Sequence, residues 1–173
     1  MLVKAQRQDI KKIMKIILDA KSYLKSQNSL QWNQPDGYPN ESDLLKDIDN
    51  GSCYLYLEND EVVGTMSIVF TPDENYFEID GAWLTNDKYA SIHRIAIKNT
   101  HHHKGIGVKM LLEAEDIIKE NQTYSIKVDT HKINLPMINT ILKSGYTYCG
   151  VITLKRTKED NLRNAYEKRL AIC

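Results

Sequence analysis

Paired cysteines are missing from this chain. Cys53, Cys149 and Cys173 are three in number, so they close no disulfide framework, and no two stand at metal-ligand spacing. Each is expected as a reduced thiol in a reducing, cytoplasmic compartment. Proline and glycine are scarce, at four and eight in 173 residues, which excludes collagen-like and low-complexity chains. No apolar run approaches the roughly eighteen residues of a membrane span. The start, MLVKAQRQDIKK, lacks the apolar stretch of a signal peptide. An excess of either charge is absent too: 23 Lys and Arg stand against 23 Asp and Glu. That balance argues against a nucleic-acid surface and against a polybasic membrane anchor. The length suits a single domain over residues 1–173 with one sizeable core.

Apolar spacing organises what is present. Residues 2–6 suit a short strand. Asp9 stands at an N-cap position before a helix carrying Ile10, Ile13, Met14, Ile17, Ala20 and Leu24, running to about Ser26. A short helix is expected near 41–49, closed by Asn50-Gly51. Residues 52–58 and 61–70 read as an antiparallel pair turning at Asn59-Asp60. An edge strand is expected around 77–80, with a break at Gly81. Further strands are expected at 91–97, 124–129, 146–154 and 163–170, with a helix opened by Gly105 and Gly107 and another over about 134–144. Residues 91–129 form a strand–helix–strand unit expected to be parallel. The fold class is α/β (α+β), a central mixed sheet flanked by helices.

The chemistry concentrates in residues 93–112, HRIAIKNTHHHKGIGVKMLL. A strand leads through a glycine-bearing turn into a helix, and from Arg94 to Leu112 no acidic residue occurs. Arg94, Lys98, Lys104 and Lys109 contribute four positive charges there. Glycine lets a backbone approach a ligand, and the first amides of a helix donate outward to an anion. The segment suits a pyrophosphate cradle. It contains neither a Walker loop nor the three glycines of a dinucleotide fold. The His101-His102-His103 run diverges in a loop, whereas zinc sites draw ligands from separated turns, so no metal is expected.

Arg94-Ile95-Ala96-Ile97, followed by His102-x-x-Gly105-x-Gly107, resembles the acetyl-CoA-binding motif of the GCN5-related N-acetyltransferases, the GNAT family. Residues 129–146 resemble that family's downstream motif, with Asn134, Lys143, Gly145 and Tyr146 in register. The resemblance covers nearly the whole chain. It implies a GNAT-like fold and acetyl-CoA as cofactor, with Ile95, Ala96 and Ile97 holding the acyl carbonyl and pantetheine arm. It implies that the amides of His103, Lys104, Gly105, Ile106, Gly107 and Val108 hold the pyrophosphate, with His102 at the usual Gln or Arg place. Asn134 and Lys143 join the cofactor set on the same ground. One departure stands out: where the family often carries a Tyr as acid for the leaving thiolate, this chain has Ile141. Tyr146, Tyr148, Cys149 or water are the substitutes.

An acceptor amine must lose a proton before it attacks. His93 shares a strand face with Ile95 and Ile97 and is the first candidate base, with Asp129 and His131 second. Alternatively His93 is a core histidine, and Asp129 and His131 orient the helix at 134. Trp32 and Tyr38 in one loop, and Trp83 and Tyr89 in another, are candidate walls for the acceptor, or else core plugs. Asp73, Glu74, Glu78, Asp80 and Asp87 make the second loop acidic, which suits a cationic small-molecule or peptide amine. The expected activity is acetyl transfer from acetyl-CoA to a primary amine in a ternary complex. The alternative is a non-catalytic acyl-CoA-binding module. The last strand is a candidate for pairing two copies into a homodimer.

Overall fold

The structure is a computed structural model and describes residues 1–171. Cys173 lies outside the described residues. The described residues form eight strands and four α-helices, and their contacts fall into two compact units. One comprises Met1–Ile68 with Arg94–Met110; the other comprises Val69–His93 with the chain from Leu111 onward.

The first unit orders its strands β1 (Leu2–Lys4), β2 (Cys53–Glu58), β3 (Glu61–Val69) and the later half of β5 (Ala90–Ile97). The β2–β3 hairpin turns at Asn59 and Asp60, with φ 51° and 62°. Two positive values in succession suit a two-residue hairpin turn and favour Asn and Asp. Helix α1 (Ile10–Ser26) buries Ile13, Ile16, Ile17 and Leu24. Helix α2 (Glu41–Asp49) buries Leu44 and Ile48, and opens on Asn40, whose side chain accepts from Asp43 N. Ile13, Ile16, Ile17, Leu44 and Ile48 meet Leu55 and Ala96 in one apolar cluster. Asp9 takes the N-cap position expected for α1, but its side chain makes no capping bond to that helix. It ends a 3-10 turn over Arg7–Asp9, and its carboxylate accepts from Gln6 N, so the helical path opens earlier.

The second unit orders its strands β5, β6 (Ser125–Thr130), β8 (Leu162–Arg169), β7 (Thr147–Thr153) and β4 (Asp80–Gly81). The β5–β6 pair is parallel and the other pairs are antiparallel. The edge strand lies at 80–81 rather than 77–80, and Gly81 pairs instead of breaking it. Gly81 and Gly150 face each other at φ 136° and 142°, and a Cβ on Gly81 would stand 2.8 Å from the Gly150 Cα. Only glycine permits that approach. Strand β8 lies between β6 and β7, so both its edges are already hydrogen-bonded. It is therefore not the free strand expected to pair two copies. Helix α3 (Ile106–Glu120) follows the glycine turn, and α4 (Leu135–Lys143) follows β6. Among the described residues no helix is long and apolar enough to cross a membrane.

Candidate active site

In the first unit, β5 leaves the sheet at Lys98, whose amide donates to Val63 O, and passes through a short turn over Asn99–His101. His102 closes this turn. Its Nε2 lies 3.1 Å from the Ile97 carbonyl, and its ring meets Tyr23 of α1 edge-on at 5.5 Å. Facing a carbonyl, that nitrogen carries the proton. His101 turns to the Thr100 hydroxyl, and the exposed His103 takes φ 62°. The His102 and His103 rings meet edge-on at 6.2 Å, while His101 is turned to its neighbouring hydroxyl.

Gly105 has φ 73°, and a Cβ placed there would meet nothing within 4 Å. The glycine thus supplies backbone conformation and an open approach together. The first hydrogen bond into α3 runs from Lys109 N to Gly105 O, so the amides of Ile106, Gly107 and Val108 precede the helical ladder. Residues 103–105 are exposed, while Ile106 and Gly107 are buried. A cradle of this kind fits a pyrophosphate.

The positive charges differ from the sequence expectation. Arg94 is gripped by Asp47, through Nε to Oδ2 at 2.6 Å and Nη2 to Oδ1 at 2.7 Å. Lys98 pairs with Glu61, and Lys109 with Glu58 at 2.9 Å. These bonds hold both glutamates below their ordinary range. Among the described residues, Lys104 is the cation of the four with no carboxylate partner. Sequence order concealed this, because every partner lies at least 37 residues away.

The second unit holds the candidate base. His93 Nε2 lies 3.2 Å from Asp73 Oδ2. Asp73 Oδ1 accepts from both the backbone and side-chain nitrogens of Asn75, each at 2.8 Å, and Asn75 Oδ1 accepts from Lys155 N. Burial pushes the Asp73 carboxyl up, but the bonds from His93 and Asn75 outweigh it, and the net position is below ordinary. Asp129 accepts from the Tyr76 hydroxyl at 2.8 Å, and burial raises its carboxyl. The Tyr76 ring stands 6.0 Å from that of His93. Asp73, Tyr76, His93 and Asp129 therefore form one cluster. The Asp73–His93 partnership was not foreseen, although Asp73-x-Asn75 is a recognisable Asx turn.

His131 does not join them. Its Nε2 lies 2.6 Å from Asp160, its Nδ1 accepts from Ile133 N, and its carbonyl accepts from Asn134 N. Asn134 is itself the N-cap of α4, accepting from Met137 N. Lys143 is exposed at the end of that helix. Ile141 is fully buried. Tyr146 is also buried; burial drives its hydroxyl far above the ordinary value, and that hydroxyl has no hydrogen-bond partner among the described residues. Tyr148 is exposed on β7. Burial raises the Cys149 thiol, which donates to Thr147 O.

The four aromatic candidates are half-buried and engaged internally. Trp32 packs on the first unit's core, and the Tyr38 hydroxyl accepts from Arg94. Trp83 and Tyr89 flank the Lys127 ammonium, which lies 4.1 Å from each ring centroid. Burial lowers the proton affinity of that lysine.

Comparison with known proteins completes the description. A streptothricin acetyltransferase from Escherichia coli is 28% identical over 116 residues, covering 65% of this chain and 59% of that protein. The crystal structure of a GNAT-family acetyltransferase from Streptococcus agalactiae superposes with a TM-score of 0.88 at 29% identity, covering 99% of this chain and 96% of the other. The aminoglycoside acetyltransferase AAC(6')-Ib, solved in complex with coenzyme A, shares the fold at a TM-score of 0.66 and 16% identity, covering 98% of this chain and 94% of that one. The acetyltransferase (GNAT) family model matches residues 17–146, three quarters of the sequence. With the cradle and the mixed sheet, this makes the chain a member of the GNAT family, whose acyl donor is acetyl-CoA.

Proposed function

We propose that this protein, working as one functional domain, transfers an acetyl group from acetyl-CoA to a primary amine by direct attack in a ternary complex. The observation that carries the reading is the His93–Asp73 pair on the strand whose next residues lead into the glycine cradle. Acetyl-CoA supplies an activated acyl thioester. With Nε2 turned to Asp73, His93 keeps Nδ1 to accept the proton of the acceptor ammonium. Asp73 holds the ring, and Asn75 holds Asp73. The amides of 103–108 and Lys104 bind the pyrophosphate, and the backbone of Ile95–Ile97 orients the acyl group and receives its developing negative charge. The second proton of the amine nitrogen, released as the amide forms, passes through water to the leaving thiolate, because Ile141 has no proton to give and the buried Tyr146 holds its own too tightly.

Exposed Glu74, Glu78, Asp80 and Asp87 favour a cationic acceptor, and the name of the E. coli relative places streptothricin in the panel to be tried. Free, buried Cys53 and Cys149 suit a reducing cytoplasm. The test is release of CoA thiol from acetyl-CoA across cationic amines, streptothricin included. His93→Ala is expected to lose about 10²- to 10⁴-fold in turnover while CoA affinity stays within about twofold. The buried Ile141, which offers no acid, favours a second reading, a non-catalytic acyl-CoA-binding module. CoA binding without thiol release on any amine would establish that reading instead.

A further inference from the structure

Arg94 is the one residue with a side chain that takes a positive φ, 53°, inside a strand among the described residues. There its Cβ crowds the neighbouring carbonyl, so the conformation persists only where the surroundings hold it. The side chain shows what holds it. Two guanidinium nitrogens meet both oxygens of Asp47 in α2, and Nη1 donates to the Tyr38 hydroxyl at 2.7 Å. Ser67 of β3 donates to Asp47 Oδ2 at 2.6 Å, fixing the carboxylate from a third element. The guanidinium is buried, its side chain only 14% exposed, so it is not presented to a phosphate.

A left-handed residue in a strand interrupts the two-residue alternation of faces. The interruption falls between His93 and Ile95, the first of the residues expected against the acyl group. We infer that Arg94 is a positioning residue: locked to Asp47 and Tyr38, it holds the break in β5 that presents the Ile95–Ile97 backbone to the acyl carbonyl. This rests on the acetyltransferase reading above. It assigns Arg94 a geometric role rather than a charge role toward the cofactor.

The two roles rank substitutions differently. Glycine adopts φ 53° without a Cβ, alanine resists it, and lysine keeps the charge but cannot make the paired bonds to Asp47. Arg94→Ala is expected to lower kcat about 10²-fold, Arg94→Lys to fall close to it, and Arg94→Gly to recover about tenfold over alanine. CoA affinity, measured by calorimetry, is expected to stay within about threefold in all three, because the cradle amides are untouched. The preference for acetyl-CoA over CoA should fall in alanine and return in part in glycine, a readout that needs no acceptor. Glycine no better than alanine, or lysine near wild type, overturns the proposal. Parallel loss of CoA affinity in all three variants marks a merely structural residue and overturns it too. Wild-type protein that binds neither CoA nor acetyl-CoA sinks the parent reading, whereas wild type that binds both while the variants rank wrongly sinks this proposal alone.

Discussion

Asp73 and Asp129 stand close to one histidine with opposite proton affinities. For Asp73 the folded value lies below the ordinary carboxyl value of 3.8. Its contribution to stability is therefore present above 3.8 and is lost as pH falls through the lower folded value. For Asp129 burial dominates and the folded value is raised. The folded state binds that proton more tightly than the unfolded chain, so its contribution is complete below 3.8 and is lost as pH rises through the raised value. Charging Asp129 without a cation bonded to it thus strains the folded protein at neutral pH. Asp129→Asn keeps an oxygen to accept from Tyr76 and removes the charge. It is expected to raise the melting temperature at about pH 8 and to change it little at about pH 4. Equal increments at both pH values would mean that the carboxyl does not titrate differently on folding.

At the level of elements, helix α4 shows how a family pattern and a local role compete for one residue. Asn134 lies in the stretch that resembles the family's downstream motif, yet its carbonyl oxygen accepts from Met137 N as an N-cap, with Pro136 in the first turn. Asn134→Ala is expected to cost about 1 kcal/mol of stability by urea denaturation, and Asn134→Asp, also a good cap, to cost little. A cofactor contact through the amide would instead make both variants lose CoA affinity. Local signals of this type were readable in advance. Asn59-Asp60 marked its hairpin, the 3.6-residue period marked α1, and Gly105 marked the entry to α3, because each is decided by neighbours along the chain. Asp9 marked the start of α1, although its carboxylate accepts from Gln6 N ahead of the helix rather than from the helix's own first amides. The edge strand was misplaced because a two-residue strand has no period to read, and its position is set by the Gly81–Gly150 approach. Arg94 and Asp47, like His93 and Asp73, are partners that only folding brings together.

Across the whole molecule, equal numbers of acidic and basic residues are not spread evenly, and the pairing around the cradle carries a consequence for cofactor binding. The segment from Arg94 to Leu112 is purely basic in sequence, but folding supplies Asp47, Glu61 and Glu58 to three of its four cations. In the proposed function the phosphate site would therefore depend on oriented backbone amides and Lys104 more than on a field of free charge. Amide donors are fixed dipoles whose attraction acts at contact distance, while exposed charges act over a screening length of about 8 Å at physiological salt. CoA affinity should accordingly fall only shallowly with added salt. Glu58→Gln and Glu61→Gln each release one lysine from its partner without altering the loop. Each is expected to tighten CoA binding by about two- to fivefold at low ionic strength, an effect that disappears near 1 M salt, where screening reaches about 3 Å. Isothermal titrations with CoA at several salt concentrations check this. Wild-type affinity that collapses with salt, together with no gain in either variant, would mean that long-range charge from elsewhere on the molecule, and not the amide cradle, holds the pyrophosphate.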